Sequence, residues 1–174
     1  RQNAANFDVD ELKTAVDYCH LFGAKVYLTV NTVLFDSELN DFQKYIIDSA
    51  MIGVDAFIVQ DLGVCELIKK VVPNIPLHAS TQMTVHTPNG ALIAKEMGFS
   101  RVVVARELNK NQIAEICKTG IEVEVFVHGA LCVSVSGQCY MSAIIGSRSA
   151  NRGLCAQACR LPFTADNDSK ACAL

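Results

Sequence analysis

Apolar and polar positions along the chain switch repeatedly between a helical period and a strand period. Residues 8–22 place Val9, Leu12, Val16 and Cys19 on one helical face behind Asp8, a capping residue. Gly23 stops that helix, and KVYLTV (25–30) reads as a buried strand. The same order then returns. A helix over roughly 37–52 precedes the strand AFIVQ (56–60), and a shorter one at about 63–72 precedes PLHAS (76–80). A helix around 88–97 leads to RVVVARE (101–107), and one around 110–118 leads to EVEVFVHG (122–129).

Each junction is built alike: Gly23-Ala24-Lys25, Gly53-Val54-Asp55, Gly98-Phe99-Ser100 and Gly120-Ile121-Glu122. Glycine suits the left-handed residue that turns a helix back toward a strand. Continuous apolar strands with helical crossovers imply a parallel sheet. An open doubly wound sheet and a (β/α)₈ barrel both fit that much. No glycine-rich phosphate loop follows the first strand, which disfavours a dinucleotide-binding sheet. Polar residues recur at the strands' C-terminal ends: Asn31 and Thr32, Gln60 and Asp61, His78 with Ser80 and Gln82, Arg106 and Glu107, Glu124 and His128. A barrel assembles its site at that face. The expected fold is therefore α/β: a partial TIM-like (β/α) barrel of about five βα units over 1–129, with a Cys-rich segment over 130–174 packed on its mouth. Five strands do not close a barrel, so a fragment of a longer protein is expected.

Hydrophobic residues make up 51% of the 174, charged residues 19%, and mean hydropathy is +0.26. That excludes a disordered chain. The net charge of −3 excludes a simple electrostatic coat for nucleic acid and leaves room for local contact with RNA. No apolar run approaches the ~20 residues of a membrane span, and no cleavable signal opens the chain. A cytoplasmic protein without a membrane partner is expected.

Eight cysteines change the picture. Cys19, Cys65 and Cys117 lie singly in helical patterns and read as small buried hydrophobes. Cys132, Cys139, Cys155 and Cys159 crowd one segment with the spacing C-x₆-C-x₁₅-C-x₃-C, and Cys172 follows. Four thiolates complete the shell of a zinc ion or hold an iron–sulfur cubane. Zinc knuckles favour two-residue gaps, which this pattern lacks, so an iron–sulfur centre is the first expectation and zinc the alternative. Arg148, Arg152 and Arg160 add only positive charge to the segment, suited to an anionic cluster or an anionic substrate.

The runs EVFVHGALCVSVSGQCYMS (124–142) and GSRSANRGLCAQACRLPF (146–163) resemble the hallmark of the collagenase-like peptidase family, family thirty-two of the peptidases of unknown mechanism. RQNAANF (1–7), HASTQM (78–83) and VVVARELN (102–109) are similar to it too, so the resemblance covers nearly the whole chain. It implies a [4Fe–4S] cluster on four cysteines and oxygen-independent hydroxylation, on tRNA or rRNA or in ubiquinone synthesis, with prephenate as a small-molecule oxygen donor in the RNA cases. The rRNA-acting branch is the nearest in pattern. The resemblance implies Cys132, Cys139, Cys155 and Cys159 as metal ligands, with Cys172 in reserve. The family name itself implies peptidase activity.

A peptidase needs an activated nucleophile or water. Neither H-E-x-x-H nor G-x-S-x-G is present. Cys132 with His128 as base is a conceivable pair, but it leaves three clustered cysteines without a role. His128 is the first candidate for acid–base catalysis, since histidine exchanges protons near neutral pH. Strand alternation puts Glu124, the second catalytic candidate, on the same face as His128, looking into the barrel, with Arg106 as its expected ion-pair partner. Valines 123, 125 and 127 are expected to meet the helices. His78, Ser80, Gln82, Arg106, Arg148, Arg152 and Arg160 are the candidate substrate contacts. Asp61 is expected to cap a helix, and His20 and His86 to be ordinary helix or loop residues.

Overall fold

The computed structural model describes residues 6–130, 132–164 and 171–172. After α1 (Val9–Leu21), five strands alternate with helices: β1 (Tyr27–Val30), α2 (Leu39–Ile52), β2 (Ala56–Val59), α3 (Leu62–Val71), β3 (Leu77–Ala79), α4 (Pro88–Glu96), β4 (Phe99–Val103), α5 (Lys110–Cys117) and β5 (Glu122–Glu124). All strand pairs are parallel, and the sheet order is β1-β2-β3-β4-β5. That order steps from neighbour to neighbour and has no switch point. It is the winding of a (β/α) barrel and excludes the doubly wound alternative.

The helices begin and end where local chemistry dictates. Asp8 closes a reciprocal capping box with Glu11, and Asn109 does the same with Gln112. Asp61 caps α3, its Oδ1 accepting from the Gly63 and Val64 amides at 2.8 and 3.2 Å. Gly53 ends α2 at φ 104°, a backbone region that favours glycine.

One face of the sheet packs against the helices. Val30, Phe57, Val59, Leu77, Ala79 and Val102 meet Leu12, Val16, Ile46, Val64, Ile68, Ala91 and Ile116 in one buried core. The other face carries a polar row, Tyr27, His78, Arg101, Glu122 and Glu124. Arg101 donates to Glu122 at 2.5 Å and Glu124 at 3.0 Å and lies over the Tyr27 ring at 5.0 Å. His78 meets the same ring edge-on at 4.7 Å. A register shift at Leu77/His78 creates the row. It lets both Phe99 and Val102 face the core and turns Arg101 to the opposite side, while Ser100 Oγ donates to the Leu77 carbonyl at 3.1 Å.

Several expectations are corrected. β5 ends at Glu124, so 125–129 is not strand. Val123 packs on the core, but Val125 and Val127 face solvent, Val127 being 94% exposed. Pairing with β4 carries only three residues before the chain leaves the sheet. β4 likewise stops at Val103, although Val104 and Ala105 stay buried and donate to Glu124 O and Val85 O. Glu124 pairs with Arg101 and not with Arg106, because the register shift brings Arg101 to that face. Of the three single helix cysteines only Cys65 is buried; Cys19 is half-buried and Cys117 exposed. His20 lies in α1 as expected and joins Asp55 at 2.9 Å, tying that helix to the start of β2. Beyond β5 lie a short helix, α6 (Met141–Gly146), and an antiparallel pair, β6 (Phe163–Thr164) and β7 (Ala171–Cys172), none of which the periodicity indicated.

Candidate functional site

The segment after β5 crosses the C-terminal ends of the strands and is fastened at both sides of the sheet. On the β4 side its anchor is Ser136, which is fully buried. The Ser136 amide and hydroxyl both donate to Glu107 Oε1, at 2.7 and 3.1 Å. Ser136 Oγ accepts from the Arg106 amide and Nε, each at 3.2 Å, and its carbonyl accepts from Thr84 Oγ1 at 2.8 Å. Every polar group of this buried serine is thus partnered. Burial pushes the Glu107 carboxyl up, but the amides, the Ser136 hydroxyl and the Arg106 charge outweigh it and hold the group below its usual range. Arg106 also donates to the carbonyls of Ser134 at 3.2 Å and Cys132 at 3.5 Å.

On the β1 side the anchor is Arg152. It donates to Glu38 Oε1 and Oε2 at 2.6 and 2.9 Å and to the Val33 carbonyl at 2.8 Å, and it stacks over Phe35 at 4.4 Å. The Arg152 fork, aided by the Phe35 amide, holds the Glu38 carboxyl down to about 2. Val33 N donates to Asn151 O at 3.4 Å beside this pair.

Between the anchors lies a cavity of about 1310 Å³. Cys132, Cys139, Cys155 and Cys159 all line it, with His128, Gln82, Arg106 and Arg160. Among the described residues no carboxylate lines it, and the arginines are the permanent charges in its lining. As arranged, no three His, Cys, Asp or Glu among the described residues are close enough to hold a metal ion. The set fits a metal centre in donor type, and all four thiols line the same cavity. The Gln157 amide also points to Cys155 Sγ at 3.4 Å, the hydrogen bond that supports a metal-bound thiolate. The Cys172 side chain lies outside the described residues.

The other expected site residues divide. Glu124 and His78 do not line the cavity. Glu124 is held by Arg101, and His78 is 4% exposed within the sheet, where burial and then the Arg101 charge push its imidazole down. Ser80 is buried too, accepting from Asn31 Nδ2 at 3.1 Å and the Gln82 amide at 3.2 Å. Arg152 is spent on Glu38, and Arg148 lies exposed after α6, outside the cavity lining. Sequence reasoning missed the roles of Glu107, Ser136, Thr84 and Glu38. The Arg-Glu pair at the end of the fourth apolar run was the available signal for Glu107; nothing local marked Glu38.

Comparison with known proteins bears on this arrangement. The chain is 48% identical over 169 residues to the 23S rRNA 5-hydroxycytidine C2501 synthase of Escherichia coli strain K12, covering 97% of this chain and 25% of that protein. It is 39% identical over 159 residues to the tRNA hydroxylation protein P of Helicobacter pylori strain J99, covering 90% of this chain and 38% of that one. It is also 36% identical over 183 residues to the collagenase of Porphyromonas gingivalis strain W83, covering 97% and 43%. The chain thus spans between a quarter and about two-fifths of the length of these relatives. In fold it is similar to the U32 peptidase Mk0906, with a TM-score of 0.55 at 19% identity over 68% of this chain and 51% of that one. The family model of Peptidase family U32 matches residues 1–172, and the chain belongs to that family.

Proposed function

We propose that this chain carries the sulfur-ligand centre of an RNA-hydroxylating enzyme. The observation that supports this most is the convergence of Cys132, Cys139, Cys155 and Cys159 on one cavity at the strands' C-terminal ends. These four thiols would hold a [4Fe–4S] cluster, with a structural zinc ion as the alternative. When bound, such a cluster supplies redox chemistry without molecular oxygen. The net reaction replaces a C–H of an RNA base by C–OH. A small organic acid such as prephenate gives up the oxygen atom and takes the two electrons that the carbon loses. Arg160, on the cavity wall, supplies positive charge for the donor's carboxylates or the RNA backbone. His128, exposed on the cavity wall, moves the proton released from the base. The rRNA and tRNA hydroxylation relatives support this choice of substrate.

The family name and the collagenase relative favour a second reading, a peptidase. A Cys132–His128 pair would be its nucleophile and base. Among the described residues no hydrogen bond joins them.

Deleting the gene and measuring modified nucleosides in ribosomal and transfer RNA by mass spectrometry tests the proposal. A hydroxylated base is lost and is restored by the wild-type gene but not by Cys132→Ala. Unchanged RNA, together with gelatin cleavage by the purified protein, would replace this reading with the peptidase.

A further inference from the structure

We infer that two arginine forks position the two halves of the cysteine set independently. Arg106 places the Cys132–Cys139 half, and Arg152 places the Cys155–Cys159 half. Both residues were candidates for substrate contact, but their contacts are to the protein.

Arg106 leaves the end of β4 and reaches three residues of one loop. Its Nε meets Ser136 Oγ, Nη2 meets Ser134 O, and Nη1 meets Cys132 O. The last of these acceptors belongs to a cysteine of the cavity, and Cys139 lies three residues after the buried Ser136. Arg152 works in the reverse direction. It sits inside the segment, three positions before Cys155, and grips the loop after β1 through Val33 and both oxygens of Glu38. The turn that contains it is closed by Gly153 N donating to Ala150 O at 2.9 Å and Leu154 N donating to Ser149 O at 3.0 Å. The two grips share no residue; one lies after β1 and the other after β4, with β2 and β3 between those strands.

The chemistry of the side chain matters here. Arginine's planar fork spans several acceptors at fixed spacing; a lysine ammonium carries the same charge from one point. Neither grip is satisfied by charge alone, since four of the six acceptors are neutral oxygens. Arg106→Lys and Arg152→Lys therefore separate geometry from charge.

The test is residue-resolved hydrogen exchange on the metal-free chain, followed by cobalt(II) titration read by thiolate charge-transfer absorption. In Arg106→Lys, amides of 132–139 exchange about tenfold faster and those of 149–160 stay within about twofold of wild type. In Arg152→Lys the pattern reverses. Each variant weakens cobalt binding about tenfold. Wild-type exchange in both lysine variants would overturn the inference, because charge would then suffice. A rise across both halves in either variant would overturn it too, since the arginine would then only support the fold. Should Arg106→Lys fail to fold, Arg106→Gln removes the fork and leaves Ser136 its bond to Glu107. A rise confined to 132–139 is expected, and no rise overturns the inference. The cobalt result rests on the ligand reading above, whereas the exchange pattern does not. Half-specific exchange in a chain that binds no metal would uphold the two forks and sink the metal centre.

Discussion

Gly137 lies so close to Gln82 that a β-carbon built on it overlaps the Gln82 carbonyl oxygen. The obstacle is backbone, so a rotamer change cannot relieve it, and Gly137 also holds φ 74°. The turn between Cys132 and Cys139 is therefore seated directly on the loop that follows β3. Gly137→Ala is expected to destabilise the chain by about 2 kcal/mol or more through strain and displacement. Thermal unfolding measures it, and an unchanged melting temperature would show that the turn is not seated as described.

The Arg101–Glu124 pair belongs to the sheet and not to the cavity. Glu124→Gln keeps one acceptor for Arg101 and removes the charge. A loss on the order of 1 kcal/mol is expected for this half-exposed carboxylate. Metal content per folded chain should stay at the wild-type level. Loss of metal without loss of stability would return Glu124 to the functional site.

Glu38 makes the β1-side anchor sensitive to acid. Its folded-state carboxyl is held down to about 2 from an ordinary value of 4.5. A depressed carboxylate contributes fully above its unfolded value and loses that contribution as the pH falls toward its folded value. The stability difference between wild type and Glu38→Gln should be constant above about pH 5 and shrink steadily toward pH 2. Denaturant titrations at a series of pH values measure it. A difference that does not change with pH would mean that Arg152 does not hold the carboxylate.

The parts of this fold that local chemistry controls were legible in the sequence. Four Gly-apolar-polar junctions marked the helix-to-strand turns, and Asp8 and Asp61 marked helix starts. The crowding of Cys132 to Cys159 marked the segment whose cysteines line the cavity. Features decided by distant partners were not legible. The run EVEVFVHG alternates as a strand should, yet its pairing with β4 ends at Glu124. RVVVARE reads as one buried run, which conceals the shift at Leu77/His78 that turns Arg101 toward Glu124. Ser136 and Glu107 lie 29 positions apart, and Arg152 and Glu38 lie 114 apart. No periodicity links such pairs.

The central claim is that the four cysteines of the cavity hold an iron–sulfur cluster. Anaerobic purification with iron, sulfide and zinc assays and a visible spectrum tests it most directly, on wild type and on each of Cys132→Ala, Cys139→Ala, Cys155→Ala and Cys159→Ala. About four irons and four sulfides per wild-type chain are expected, with a sharp loss in every variant. One zinc and no iron, or iron that persists undiminished in all four variants, would contradict the claim.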